Sequence, residues 1–273
     1  MQISSPSNQT IKDLVRLKDR KGERAGVSFV VEGRREIERA LAAHFIPEEL
    51  YYCPEEIDSA SSRLIKNFRF GKIIEVSKPA FAKVATREGS DGILAVFAIR
   101  SVTTEDVLQR AGGDELFLIV MENVEKPGNL GAVLRTADAV GVHGVILLGA
   151  NVDNWNPNVI RASLGGVFSI PVIHMGSDHF FEFCQAHKIN IVAAALTPTS
   201  QSLFAANLSG PVSIILGSEA RGISPEILAR VEQRVVIPMN GLCDSLNVSV
   251  AAGVMAYESL RQRQSAKNFT GSH

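Results

Sequence analysis

Three short stretches of this chain hold polar residues in settings that chemistry could use. In Asn129-Leu130-Gly131-Ala132-Val133-Leu134-Arg135 an amide and a guanidinium bracket small and apolar residues. An arginine with such neighbours either packs its stem and leaves its head in water, or aims the head at an anion. In Gly217-Ser218-Glu219-Ala220-Arg221-Gly222 a glycine-flanked acid follows the apolar run Val212 to Leu216. At the C-terminal end of a parallel strand, such an acid lies where open α/β sheets bind ligands. In Ser245-Leu246-Asn247-Val248-Ser249, polar groups sit where a loop meets a segment without charge as far as Tyr257. Buried polar groups need partners, and a ligand is one candidate; a capped core helix is the other reading. The 6 histidines form no cluster, and Cys53, Cys184 and Cys243 have no metal-ligand spacing, so no metal is expected.

The elements that must position these residues read as an α/β sheet. Leu116 to Met121 is a continuous apolar run, as expected of a central parallel strand covered on both faces. A helix from about Leu130 to Val140, closed by Gly141, and a strand at Val145 to Leu148 complete a βαβ unit. Further buried strands are expected at Ile191 to Leu196, at Val212 to Leu216, and at Val235 to Ile237, stopped by Pro238. Ser224 caps a helix with Pro225 in its first turn. Asp244 or Ser245 is expected to cap a helix beginning near Leu246. Kept thin by Ala251, Ala252 and Gly253, that helix should be buried all round, against its own domain and, as one option, a second subunit. A dinucleotide fold wants Gly-x-Gly-x-x-Gly; Gly128 and Gly131 supply only Gly-x-x-Gly, so that fingerprint fails.

Upstream, residues 12–24 hold Lys12, Arg16, Lys18, Arg20, Lys21 and Arg24 against three acids, with Ile11, Leu14, Val15 and Leu17 on an apolar side. This is an amphipathic helix ending near Gly22, either a local basic footprint for nucleic acid or an ordinary solvated face. The whole chain, at net charge -1, carries no such footprint. Strands are then expected at Ser28 to Glu32, Glu49 to Cys53, Lys72 to Val76 and Gly92 to Ile99. Helices alternate with them at Arg34 to Ala43, Ser59 to Phe68 and Pro79 to Val84. The polar stretch Arg100 to Gly113 reads as a linker, dividing the chain into residues 1–100, 101–113 and 114–273. A chain of 273 residues, 45% hydrophobic and 21% charged, suits two modest globular domains. No apolar run has membrane-span length, Met1 to Ser5 lacks a secretory pattern, and three scattered cysteines fit a reducing compartment. A cytoplasmic protein without membrane partners is expected.

Asn129 to Ala137 with Gly141, Gly217 to Ile223, and Ile237-Pro238-Met239 with Ser245 to Ser249 follow one another in a set order. They resemble the three signature motifs of the SpoU (TrmH-type) RNA ribose 2′-O-methyltransferases of the SPOUT superfamily, over residues 114–262. Phe29-Val30-Val31-Glu32-Gly33-Arg34, after a basic helix, resembles the substrate-binding domain that precedes many SpoU catalytic domains. That domain is similar to a ribosomal-protein family that binds kinked RNA.

The resemblance implies a C-terminal α/β SPOUT domain with a parallel sheet and a deep trefoil knot, plus a smaller N-terminal α/β domain. It implies S-adenosylmethionine as cofactor and S-adenosylhomocysteine as product, with Leu196, Thr197, Gly217, Ile237 and Leu246 around the adenosine. Arg135 would meet the ribose 2′-hydroxyl, while Asn129, Glu219, Ser245 and Asn247 position Arg135, the ribose and the cofactor's methionine part. RNA contacts would fall to Lys18, Arg20, Lys21, Arg24 and Arg161. A homodimer with shared active sites is implied, Arg135 of one chain serving the pocket of the other. The implied substrate is 23S rRNA, with tRNA second. A non-catalytic RNA-binding or ribosome-assembly protein on the same scaffold is the alternative, and the presence of every polar motif residue argues against it.

Overall fold

A computed structural model describes residues 2–69, 71–86, 91–149 and 152–270, with side chains as far as 265. The chain begins β1 (Gln2–Ile3), α1 (Gln9–Lys18), β2 (Ser28–Glu32), α2 (Arg34–Ala42), β3 (Pro47–Tyr52), α3 (Ser59–Asn67), β4 (Lys72–Val76), α4 (Lys78–Val84) and β5 (Ile93–Ala98). It continues with α5 (Thr104–Ala111), β6 (Phe117–Glu122), α6 (Pro127–Val140), β7 (Gly144–Leu148), α7 (Pro157–Ala162), α8 (Gly166–Ser169), β8 (Val172–Met175) and α9 (Ser177–Ala186). The last elements are β9 (Asn190–Ala194), β10 (Gln201–Ser202), β11 (Val212–Leu216), α10 (Pro225–Arg230), β12 (Gln233–Val236) and α11 (Val248–Thr270). Contacts divide them into two units, one of Met1–Ser101 with Asp153–Ser169, the other of Val102–Val152 with Ile170–His273.

The first unit is built on a five-stranded sheet in the order β1-β4-β3-β5-β2, in which β5 runs antiparallel to β3 and β2. Ile11, Leu14 and Leu17 recur along one face of α1 and are buried. The helix stops at Lys18, short of the expected end, because Arg20 takes a φ of 59° and the Lys21 amide bonds Arg16 O at 2.8 Å. Segment Asp153–Ser169 belongs to this unit through its aromatics. Trp155 stacks on Phe29 of β2 with ring centroids 4.2 Å apart, and Phe168 meets Phe45 edge-on at 5.4 Å. The sequence pattern kept that segment with residues 114–273; burial of two large rings draws it onto β2 instead.

In the second unit, the stretch read as a linker contains a helix. Thr103 and Asp106 form a capping box at the start of α5, and Gly112 in the left-handed region closes it. Val107 and Ala111 are buried with Leu116 and Leu118, so this stretch packs as part of the unit's core.

The second sheet has seven strands, all parallel, in the order β10-β12-β9-β11-β6-β7-β8. Central strands β6 and β11 are buried along their whole length, which is why they read as unbroken apolar runs. Because all strands point one way, the loops after β6, β9, β11 and β12 emerge along one rim.

The last helix departs from expectation twice. It begins at Val248, with Asn247 as its cap: Asn247 Oδ1 accepts from Ser249 N at 2.9 Å and from Ser249 Oγ at 2.7 Å. Asp244 and Ser245 lie before the cap. The helix packs against α6, where Gly253 faces Thr136, and buries Ala252, Met255 and Ala256. Its burial is one-sided, however, since Val250 is 50% exposed and Tyr257 54%. Among the described residues no helix is long and apolar enough to cross a membrane.

Candidate active site

Glu219 is the hub. After β11 the chain closes a tight loop, with Ser218 N bonding Gly222 O at 3.1 Å and Gly222 N bonding Ser218 O at 2.9 Å. A Cβ on Gly217 would lie 2.0 Å from the Gly222 carbonyl carbon, so the closure requires glycine there. Buried Glu122, at the end of β6, accepts from Ser224 N at 2.8 Å and ties the start of α10 to the same rim. On that loop, Glu219 Oε1 accepts from Asn129 Nδ2 at 3.0 Å and from Asn247 Nδ2 at 2.6 Å. Oε2 accepts from Lys126 Nζ. Asn247 Nδ2 also reaches Asn129 Oδ1 at 3.3 Å. Residues far apart in sequence thus meet through one carboxylate: Lys126 and Asn129 at the start of α6 after β6, Glu219 on the loop after β11, and Asn247 at the end of the loop after β12. The hydrogen bond from Lys126, and then that from Asn129, hold the Glu219 carboxyl below the usual carboxylate range. A cavity of about 380 Å³ opens beside the cluster, lined by Asn123, Lys126, Asn129, Gly149, Glu219 and Arg221 among others.

Arg135 does not join this cluster within one chain. It lies six residues beyond Asn129, about 240° around the helix, and is exposed. Among the described residues no hydrogen bond or ion pair holds it. Ser245 also stands apart, its hydroxyl reaching only Asp244 Oδ1, at 3.4 Å, among the described residues. Glu122 and Lys126 were not marked by any period or spacing in the sequence. The one available signal was their place at and after the end of a buried strand.

The residues expected around an adenosine lie on neighbouring loops of the rim. Strands β12, β9 and β11 are adjacent, and Ile237, Leu196 with Thr197, and Gly217 follow them in that order. Thr197 sits in a turn pinned by Ser200, whose hydroxyl accepts from Thr197 N at 3.0 Å and donates to Ala195 O at 2.6 Å. Leu196 is 77% exposed and Leu246 36%. Uncovered apolar side chains beside tight backbone turns suit an adenosine. The residues present fit that group.

The basic residues assigned to RNA mostly have partners within the chain. Lys18 Nζ donates to the carbonyls of Val84 and Ala85 at the end of α4. Arg20 donates to Ser28 O at 2.6 Å, to Ala25 O and to Asp153, with its side chain only 11% exposed. Arg24 pairs with Glu48 at 3.2 Å and Glu49 at 3.4 Å. Lys21 is exposed and without a partner among the described residues, and exposed Arg161 bonds Asn158 Oδ1 at 2.9 Å. A charge pattern counts cations but not the carbonyls and acids that folding brings to them. Arg20→Ala is therefore expected to lower unfolding free energy by about 2–4 kcal/mol, because it takes the donor from two carbonyls and the charge partner from Asp153. Lys21→Ala should stay within about 0.5 kcal/mol of wild type. Urea unfolding of both variants checks this.

Residues 116–257 match the SpoU rRNA Methylase family, and residues 8–95 match an MRM3-like substrate binding domain. The chain belongs to the SpoU rRNA methylase family. It is 31% identical to an uncharacterised tRNA/rRNA methyltransferase of Synechocystis sp., over 97% of this chain and 95% of the relative. It is 28% identical to the Bacillus subtilis 23S rRNA (guanosine(2553)-2′-O)-methyltransferase RlmP, over 94% of this chain and 98% of that one. Among solved structures, the AdoMet-bound rRNA methyltransferase of Sinorhizobium meliloti superposes with a TM-score of 0.83 at 27% identity, covering 96% and 97% of the two chains. The SpoU match spans the parallel sheet from β6 to α11 and takes in Asn129, Glu219 and Asn247.

Proposed function

We propose that this SpoU protein transfers a methyl group from S-adenosylmethionine to a ribose 2′-hydroxyl of 23S rRNA, leaving S-adenosylhomocysteine. The observation that carries this reading is the cluster in which Asn129, Glu219 and Asn247, one from each signature motif, share one carboxylate. The full-length likeness to a 23S rRNA ribose methyltransferase and to an AdoMet-bound rRNA methyltransferase supports it. When bound, the cofactor supplies an electrophilic methyl on a sulfonium; an O–CH₃ bond forms, the S–CH₃ bond breaks and the hydroxyl proton leaves.

A ribose hydroxyl is a weak nucleophile, so holding it in line is the principal contribution. Asn129, fixed by Glu219 and Asn247, keeps one amide N–H and one carbonyl lone pair for that placement, while the amide of Asn247 is fully engaged with Glu219, Asn129 and Ser249. Arg135 orients the hydroxyl and stabilises the developing alkoxide, the easier role for a guanidinium that keeps its proton. Leu196, Thr197, Gly217, Ile237 and Leu246 would hold the cofactor's adenosine, and Ser245, with the Asn129–Glu219–Asn247 cluster, would position its methionine part. The loops at residues 217–222 and 237–247 are those that form the family's trefoil knot.

Arg135 reaches a pocket by belonging to a second copy. The homodimer is supported by the exposed apolar face of α11, where Val250 and Tyr257 lie two turns apart, and by the exposure of Arg135 on the adjacent α6. The N-terminal unit selects the RNA, with Lys21 and Arg161 the exposed members of the basic set assigned to it. Three cysteines without disulfides fit work in the cytoplasm.

Mapping 2′-O-methyl marks in total RNA from cells with and without this protein tests the substrate. Loss of a 23S rRNA mark is expected. Loss confined to tRNA would overturn the rRNA assignment.

A further inference from the structure

Lys126 joins the Glu219 cluster without belonging to any signature motif. The carboxylate is divided: Oε1 takes both amides, and Oε2 takes the ammonium. Lys126 is the N-cap residue of α6, in extended backbone just before Pro127. Its side chain runs from the loop after β6 to the loop after β11. The side chain is 71% exposed, and exposed ion pairs contribute little to folding, so stability does not account for the contact.

The cavity beside it does. Its lining holds two acids, Glu125 and Glu219, and two cations, Lys126 and Arg221, so its charges balance only while Lys126 is there. An RNA backbone brings further negative charge, and like charges juxtaposed across an interface oppose binding. Without the ammonium, Oε2 would be open to solvent and the carboxylate free to turn away from the two amides.

We propose that Lys126 is a positioning residue: its ammonium holds Glu219 in the rotamer that presents Oε1 to Asn129 and Asn247, and cancels the carboxylate's charge toward the RNA. The inference rests on the reading of this cluster as the methyl-transfer site. A consequence follows for pH. Lys126 is the first cause holding the Glu219 carboxyl low, so removing it lets Glu219 take up a proton at higher pH. Where protonation of Glu219 sets the acid limb of the activity profile, that limb moves upward. A protonated carboxyl also loses acceptor capacity for the two amides.

The test compares Lys126→Gln and Lys126→Arg with wild type in the full chain. The substrate is 23S rRNA transcribed in vitro, with S-adenosylmethionine as donor. For Lys126→Gln, KM for RNA should rise about tenfold while kcat at its optimum falls less than about threefold. Its acid limb should shift upward, and Lys126→Arg should restore both. Carbon-13 titration of the Glu219 carboxyl, in protein without RNA or cofactor, should show the same upward displacement in Lys126→Gln. An unmoved titration and acid limb would overturn the proposal whatever happens to the rate, as would a defect that arginine fails to restore. Should wild type itself not methylate RNA, the functional reading fails, while the Glu219 titration still decides whether Lys126 holds that carboxylate.

Discussion

An equal mixture of Arg135→Ala and Asn247→Ala proteins, each inactive alone, is expected to recover about a quarter of wild-type activity after subunit exchange. Within one chain, Asn247 is bonded to Glu219 and Asn129, while Arg135 stands exposed on another face of α6 with no partner among the described residues. On the proposed reading the arginine comes from a second copy, and α11, packed against α6, exposes Val250 and Tyr257 for it. Random pairing makes about half the dimers mixed, and each mixed dimer has one site with both residues and one with neither, giving about a quarter for independent sites. An arginine used within its own chain would leave every site in the mixture lacking one residue, and the mixture dead. Initial rates before and after exchange distinguish the two.

Much of the sheet was legible because burial writes itself into composition. Val212 to Leu216 and Ser28 to Glu32 are strands over the limits their apolar runs suggested, and β6 differs by one residue. Asn129, Glu219 and Asn247 were legible as a set through the signature motifs, and the structure joins them. Where the reading failed, the deciding contacts were tertiary. Only Val107 and Ala111 of α5 are buried, too few to give a helical period, although its capping residues Thr103 and Asp106 stand in the sequence. Nothing local in residues 153–169 says that Trp155 will stack on Phe29. Likewise Lys18, Arg20 and Arg24 look like a nucleic-acid footprint until their carbonyl and carboxylate partners arrive from elsewhere in the fold. The αL turn at Arg20 shows the same limit, since arginine carries no signal for a positive φ of 59°.

The methyl group is expected on a ribose oxygen, and alkali reads that directly. Alkaline cleavage of RNA uses each 2′-hydroxyl as the nucleophile on the neighbouring phosphate. A methylated oxygen cannot attack, so that one linkage survives. Unmethylated 23S rRNA is incubated with this protein and S-adenosylmethionine labelled in its methyl group, digested to completion in alkali, and separated by size. Asn247→Ala, which removes one amide from Glu219, supplies the background. The label is expected in alkali-resistant dinucleotides. Label in mononucleotides would place the methyl on a base and contradict the account.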